Sequence, residues 1–184
     1  NDIVKFLKKF DTYYPGLHQF STQIEVTTVI IEKVDSVVDR FGDVKDNASV
    51  LLQSIRQQIN KLKGKINSSF TSALNQYHNL EYLDDIRESV VDNKRVLAVK
   101  AMYRRKVKGA IMGGSKTGSI VYIEPETTLQ HTRELNNLEY EESEEVVRIL
   151  KEVTNYIRHY LPLLELYQTF LTEMDVISAK AKYA

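Results

Sequence analysis

From Val44 to Leu80 the apolar positions Val44, Ala48, Leu51, Ile55, Ile59, Leu62, Ile66, Phe70, Ala73, Tyr77 and Leu80 recur at a mean spacing of 3.6 residues. That period belongs to one face of an α-helix. At 1.5 Å per residue the run predicts a helix roughly 54 Å long. Gly42 precedes it, and Asp46 or Asn47 is placed to cap its first turn. Gly64 lies inside and weakens it by about 1 kcal/mol relative to alanine. A second stripe of the same period runs Leu135, Leu138, Glu142, Val146, Ile149, Val153, Ile157, Tyr160 and Leu164, with Glu142 interrupting its apolar character. Pro125 suits the first turn of this second helix, and Pro162 should end or kink it near Tyr160 or Leu161. Neither stripe is wide enough to stand alone, so the two helices are expected to pack antiparallel. Residues 3–41 read as one or two further helices, and 163–183 as a last one.

Between the long stripes the pattern changes. Residues 94–101, 105–112 and 119–124 are short, rich in β-branched residues and bounded by turn signals. Gly113, Gly114 and Gly118 bracket a turn with Ser115, Lys116 and Thr117 at its tip. The expected fold is therefore mainly α with a small antiparallel β module held at the end of a long helical pair. The chain has 184 residues, 42% of them hydrophobic, which is enough for a real core. It has no cysteine, so disulfide scaffolds, thiolate metal sites and cysteine nucleophiles are excluded. No run approaches ~20 apolar residues, so no membrane span is expected. Asn1 stands first, and the chain reads as a piece of a longer protein.

Charge is distributed unevenly. The chain carries 25 basic and 25 acidic residues. The window 93–123 nevertheless contains Lys94, Arg95, Lys100, Arg104, Arg105, Lys106, Lys108 and Lys116 and no acid. A patch of that sign points to phosphate as its partner, although strand edges also carry lysine simply to discourage aggregation. Only Tyr103 and Tyr122 are aromatic within it, so backbone contact is favoured over base stacking. Arg104, Arg105, Lys106 and Lys108 are the leading candidate contacts. On the second long helix Glu134, Glu139, Glu141, Glu142, Glu144 and Glu145 cluster; they read as a solvated face, or as a surface that docks on a basic one.

Other motifs lead nowhere. GAIMGGSKT at 109–117 approaches a phosphate-binding loop, but Ser115 separates Gly114 from Lys116 and β-type residues follow where a helix is needed. His18, His78, His131 and His159 do not converge in any metal-binding spacing. No carboxylate pair is marked for acid–base work, so a stand-alone enzyme has no supporting constellation.

Several segments together resemble the MutS-like family. FGDVKDNAS at 41–49 is similar to the start of its outgoing lever helix. RVLAVKAMYRRKVKGAI at 95–111 and SKTGSIVYIEP at 115–125 are similar to its clamp. ELNNLEYEE at 134–142 is similar to the returning lever helix, and SAKAKYA at 178–184 to the segment that leads toward the ATPase domain. The likeness is strongest to the second bacterial branch, linked to suppression of recombination and to rescue of stalled ribosomes. Ala98 stands where that branch more often has proline, and Gly114 to Thr117 replace a serine-rich turn.

The resemblance implies a helical core segment at 1–43, an outgoing lever helix at 44–86, a β clamp at 87–125, a returning lever helix at 126–161 and a core helix at 162–184. It implies a non-catalytic segment whose parent is a cytoplasmic homodimeric ATPase, with ATP and Mg held in a domain outside this sequence and a nuclease-like module beyond. The segment alone is compatible with a monomer. Its expected partner is DNA, duplex or branched, gripped without sequence preference in the service of repair or recombination control. The alternative is a module that grips the ribosome, RNA or a protein.

Overall fold

In the computed structural model, residues 2–22 and 24–183 are described. Asn1 and Ala184, the outer ends of the expected segments 1–43 and 162–184, lie outside the described residues. The chain is mainly α-helical with one small antiparallel sheet. It divides into two compact units, residues 1–48 with 147–184, and residues 49–146.

The first unit contains α1 (Asp2–Lys9), α2 (Pro15–Ser21), α3 (Val29–Val37), the last part of α5 (Glu126–Arg158) and α6 (Leu161–Tyr183). Three short helices thus occupy the stretch read as one or two. Pro15 opens α2, where a missing N–H costs nothing. Leu7, Val37, Val44, Ile149, Val153 and Phe170 form its buried apolar set. The Tyr167 hydroxyl donates to the Glu25 carbonyl and accepts from the Thr27 N–H at 3.2 Å, tying α6 to the segment before α3. Pro162 falls at the second position of α6, and α5 has already ended at Arg158.

The second unit contains α4 (Val50–Asn79), the strands β1 (Leu83–Val91), β2 (Lys94–Lys100), β3 (Gly109–Gly114) and β4 (Ile120–Pro125), and α5 as far as Val146. The helix α4 starts later than expected. Asp46–Ala48 form a separate 3-10 turn, and Val44 pairs with Val38 in an isolated bridge. The cap is Ser49, whose hydroxyl accepts from the Leu52 N–H at 2.9 Å, not Asp46 or Asn47. At the other end α4 stops at Asn79, not Arg87's neighbourhood, because Leu83–Val91 is a strand. Its 30 residues still give a rod of about 45 Å. Gly64 does not interrupt it.

Within this unit α4 and α5 run antiparallel. Ser49 donates to Glu145 at 2.6 Å, Arg56 to Glu142 at 2.7 Å, and Lys63 approaches Glu139 at 3.8 Å. Position numbers rise on one helix as they fall on the other. Leu52, Ile55, Ile59 and Leu62 are buried beside this polar seam. Glu139, Glu142 and Glu145 are therefore neither a purely solvated face nor a docking surface for another domain; they pair across the helical hairpin.

The sheet has the order β1-β2-β4-β3, all neighbours antiparallel. Asp92 and Asn93 both take positive φ and make the tight β1–β2 turn. Strand β2 is central, and Val96, Leu97, Ala98 and Val99 are completely buried. Since β2 and β3 flank β4, residues 101–108 must cross from one end of the sheet to the other. The expected strand 105–112 is thus half crossover, and the strand proper begins at Gly109. Phe70, Leu83, Leu97, Val99, Val107 and Ile123 form the buried cluster that joins α4, the crossover and the sheet. Pro125 closes β4, opposite Gly109, instead of lying within α5. A Cβ at Gly109 would lie 2.0 Å from the Glu124 carbonyl oxygen, so only glycine lets the crossover rejoin the sheet there.

Candidate nucleic-acid interface

The strand register sorts the eight candidate cations by place. One end of the sheet is defined by the pairs Leu83–Val99, Lys100–Ile120 and Gly114–Val121. Here the Ala101 N–H donates to the Ser119 carbonyl at 2.9 Å and the Lys100 N–H to the Tyr82 carbonyl at 3.0 Å. These bonds set the start of the crossover beside the β3–β4 turn. Lys100 ends β2 there, and Arg104, Arg105, Lys106 and Lys116 are carried by these two loops. The opposite end is defined by the pairs Val91–Lys94 and Gly109–Pro125. It carries Lys94, Arg95 and Lys108.

The two groups differ in what they touch. Arg95 donates to Glu88 Oε2 through Nη2 at 2.6 Å and through Nε at 3.1 Å. Its other amino group donates to Asn67 Oδ1, and its guanidinium lies 4.3 Å from the Phe70 ring centroid. Lys94 Nζ is 3.6 Å from Glu124 Oε2, while Glu124 Oε1 accepts from the Thr132 hydroxyl at 2.7 Å. Glu124 is only 2% exposed, so Lys94 is the counter-charge of a buried carboxylate. Both cations line a cleft of about 550 Å³ shared with Lys63, Asn67 and Glu139.

Arg104, Arg105, Lys106 and Lys116 are exposed. Among the described residues none of these four meets a carboxylate. The half-buried Lys100 bonds the Glu81 carbonyl at 3.3 Å, a contact that leaves its charge uncompensated. Lys106 Nζ lies 5.7 Å from the Tyr82 ring centroid and 5.9 Å from that of Tyr103. Lys108 is exposed at the far end of the crossover, where its N–H donates to the Tyr77 hydroxyl at 3.4 Å.

The crossover is braced by aromatic rings that the window 93–123 mostly omits. Tyr103 stacks on Tyr82 with centroids 4.7 Å apart, and Tyr82 stacks on Tyr77 at 6.4 Å. Val107 is 5% exposed and plugs the core behind them. The β3–β4 turn has its own frame. The Gly118 N–H donates to the Ser115 carbonyl at 3.0 Å, with Gly118 at φ +72°. The Ser115, Thr117 and Ser119 hydroxyls form a cluster with separations of 2.8 to 3.5 Å around Lys116. Cations and hydroxyls on two short, internally bonded loops can contact phosphate oxygens without reading bases.

Sequence reasoning missed strand β1, and with it part of the electrostatics. Residues 83–125 hold nine bases and five acids, so the whole sheet carries +4, not the +8 of the narrower window. Asp84, Asp85, Glu88 and Asp92 all enter with β1. The signal that could have revealed it is Val90-Val91-Asp92-Asn93 ahead of KRVLAV, a β-branched run entering a two-residue hairpin turn.

Fold and site together define a helical hairpin bearing a small sheet with a cationic end. No family model matches the chain. Over 171 residues, 93% of its length, the chain is 29% identical to the endonuclease MutS2 of Staphylococcus epidermidis, of which that match spans 22%. It is 29% identical over the same share to the endonuclease MutS2 of Staphylococcus aureus, spanning 24% of that protein. The chain thus spans about a quarter or less of the length of these relatives. The similarity supports a MutS-like relationship and agrees with the resemblance read from the clamp motifs. Among the described residues no helix is long and apolar enough to cross a membrane.

Proposed function

We propose that this chain is the lever-and-clamp segment of a MutS-like ATPase, and that it grips nucleic acid by the phosphate backbone through Lys100, Arg104, Arg105, Lys106 and Lys116. The observation that carries this reading is the exposure of Arg104, Arg105, Lys106 and Lys116 on two braced loops at one end of the sheet, with no carboxylate partner among the described residues. Such a surface attracts a polyanion and has no means of distinguishing base pairs. The relatives' name supports the same class of ligand, since an endonuclease acts on a nucleic-acid backbone. In this reading the segment does no chemistry of its own. ATP and Mg belong to another domain of the parent, which works as a cytoplasmic dimer, and the long helices transmit that domain's motion to the clamp.

The test is binding of the 184-residue chain to a fluorescent DNA duplex across a salt series. If about four phosphates are neutralised, log K falls against log[salt] with a slope near −3.6. Equal affinity for unrelated duplex sequences is expected alongside it. A slope near zero, or binding to ribosomes that survives loss of all duplex affinity, would replace the DNA reading with the ribosome or protein-docking one.

A further inference from the structure

The residue at the centre of the cationic turn is apolar. Met102 is 77% exposed, and it is followed by Arg104 and Arg105. A single exposed apolar side chain on a protein surface is ordinary. Two features set this one apart.

The first is stiffness. Met102 sits in the 3-10 turn Ala101–Tyr103. The residue before it is bonded to Ser119, the residue after it stacks on Tyr82, and the Lys106 N–H donates to the Tyr103 carbonyl at 2.8 Å. With Tyr103 committed inward, Met102 is driven outward. The second feature is setting. Met102 projects from the loop whose cations are placed to meet phosphates, so an approaching duplex brings base edges and steps toward an apolar tip. Apolar wedges flanked by arginine or lysine are the means by which many proteins part a base step.

We propose that Met102 is an intercalating wedge: the clamp turn, once seated on the backbone, inserts this side chain at a base step and partly unstacks it. The ligand class is duplex nucleic acid with an interrupted stack, such as a nick. This rests on the backbone-contact reading, and the two can fail separately.

The test uses the full chain with intact and singly nicked duplexes that carry 2-aminopurine at the interrupted step. Anisotropy reports binding, and 2-aminopurine fluorescence reports unstacking. Wild type is expected to prefer the nicked duplex roughly tenfold, because the nick removes part of the unstacking cost, and to brighten the probe on binding. Met102→Ala is expected to bind with the same salt slope, to lose that preference and to leave the probe dark. Met102→Leu should restore both signals, and unchanged melting of both variants excludes a folding defect. Binding without probe brightening, or a Met102→Ala variant that behaves as wild type, overturns the wedge but leaves backbone contact standing. Absence of any duplex binding at low salt overturns both.

Discussion

The two ends of the sheet hold the same residue types and use most of them differently. At the hairpin end two of the three cations are consumed internally, Lys94 by the buried Glu124 and Arg95 by Glu88, Asn67 and the face of Phe70, while Lys108 stays exposed. At the crossover end Arg104, Arg105 and Lys116 face solvent without a carboxylate among the described residues. The cause is strand adjacency. Strand β1 brings Glu88 beside β2, and the end of β4 brings Glu124 beside Lys94, whereas 99–123 contributes no acid to the loops it forms. A run of basic residues in a sequence is thus an upper bound on the charge available to a ligand. What remains is decided by which acids the fold delivers to the same place.

The comparison can be broken most forcefully at the exposed end. Arg104→Glu combined with Arg105→Glu should weaken duplex binding by roughly 100-fold near 0.1 M salt, with no change in melting temperature. A comparable loss from substitutions at the hairpin end would dissolve the distinction. Lys94→Met should act the other way. It leaves the Glu124 carboxylate buried with Thr132 as its one side-chain partner among the described residues, and a cost of about 2 kcal/mol, or about 5 °C in Tm, is expected with binding unchanged. Thermal melting alongside anisotropy checks both halves of that statement. Arg95→Ala should cost less, about 1 kcal/mol, because its pair with Glu88 is half exposed and only the Phe70 contact is well shielded. The smallest effect sharpens the frame on which the comparison rests. Ser49→Ala removes the cap of α4 and a partner of Glu145, and about 1 kcal/mol or less should be lost in denaturant melts, with affinity untouched.

How much of this was legible depends on how local the determining contacts are. The two long helices are written in their own periodicity, and α4 buries Leu52, Ile55, Ile59 and Leu62 beside the polar seam it shares with α5. The segments that carried the MutS-like resemblance were legible for a packing reason. RVLAVK carries the four fully buried residues of β2, Val96 to Val99, and within YRRKVKG the tyrosine stacks, the valine fills the core and the glycine admits a carbonyl oxygen that no Cβ would tolerate. Strand β1 was hidden because Leu80, Leu83, Ile86 and Val90 continue a helical spacing. Its pairing with β2 jumps from Leu83–Val99 to Glu88–Leu97, so a bulge with Arg87 at φ +60° erases the alternation that marks a strand. Losing β1 meant losing Glu88, and hence the fate of Arg95. The aromatic brace was equally hidden, because Tyr77 and Tyr82 reach Tyr103 only once the crossover is closed. The helix start was misplaced by a few residues because Asp46 and Asn47 are as good capping types as Ser49; what selects Ser49 is Glu145, almost a hundred residues away.

The most direct test of the central claim is the salt slope of duplex binding measured residue by residue. If phosphate is held at the crossover end and not at the hairpin end, Arg105→Ala lowers the magnitude of the slope by about 0.9 and Arg95→Ala leaves it unchanged. Equal reductions from the two substitutions, or no reduction from Arg105→Ala, would contradict the account.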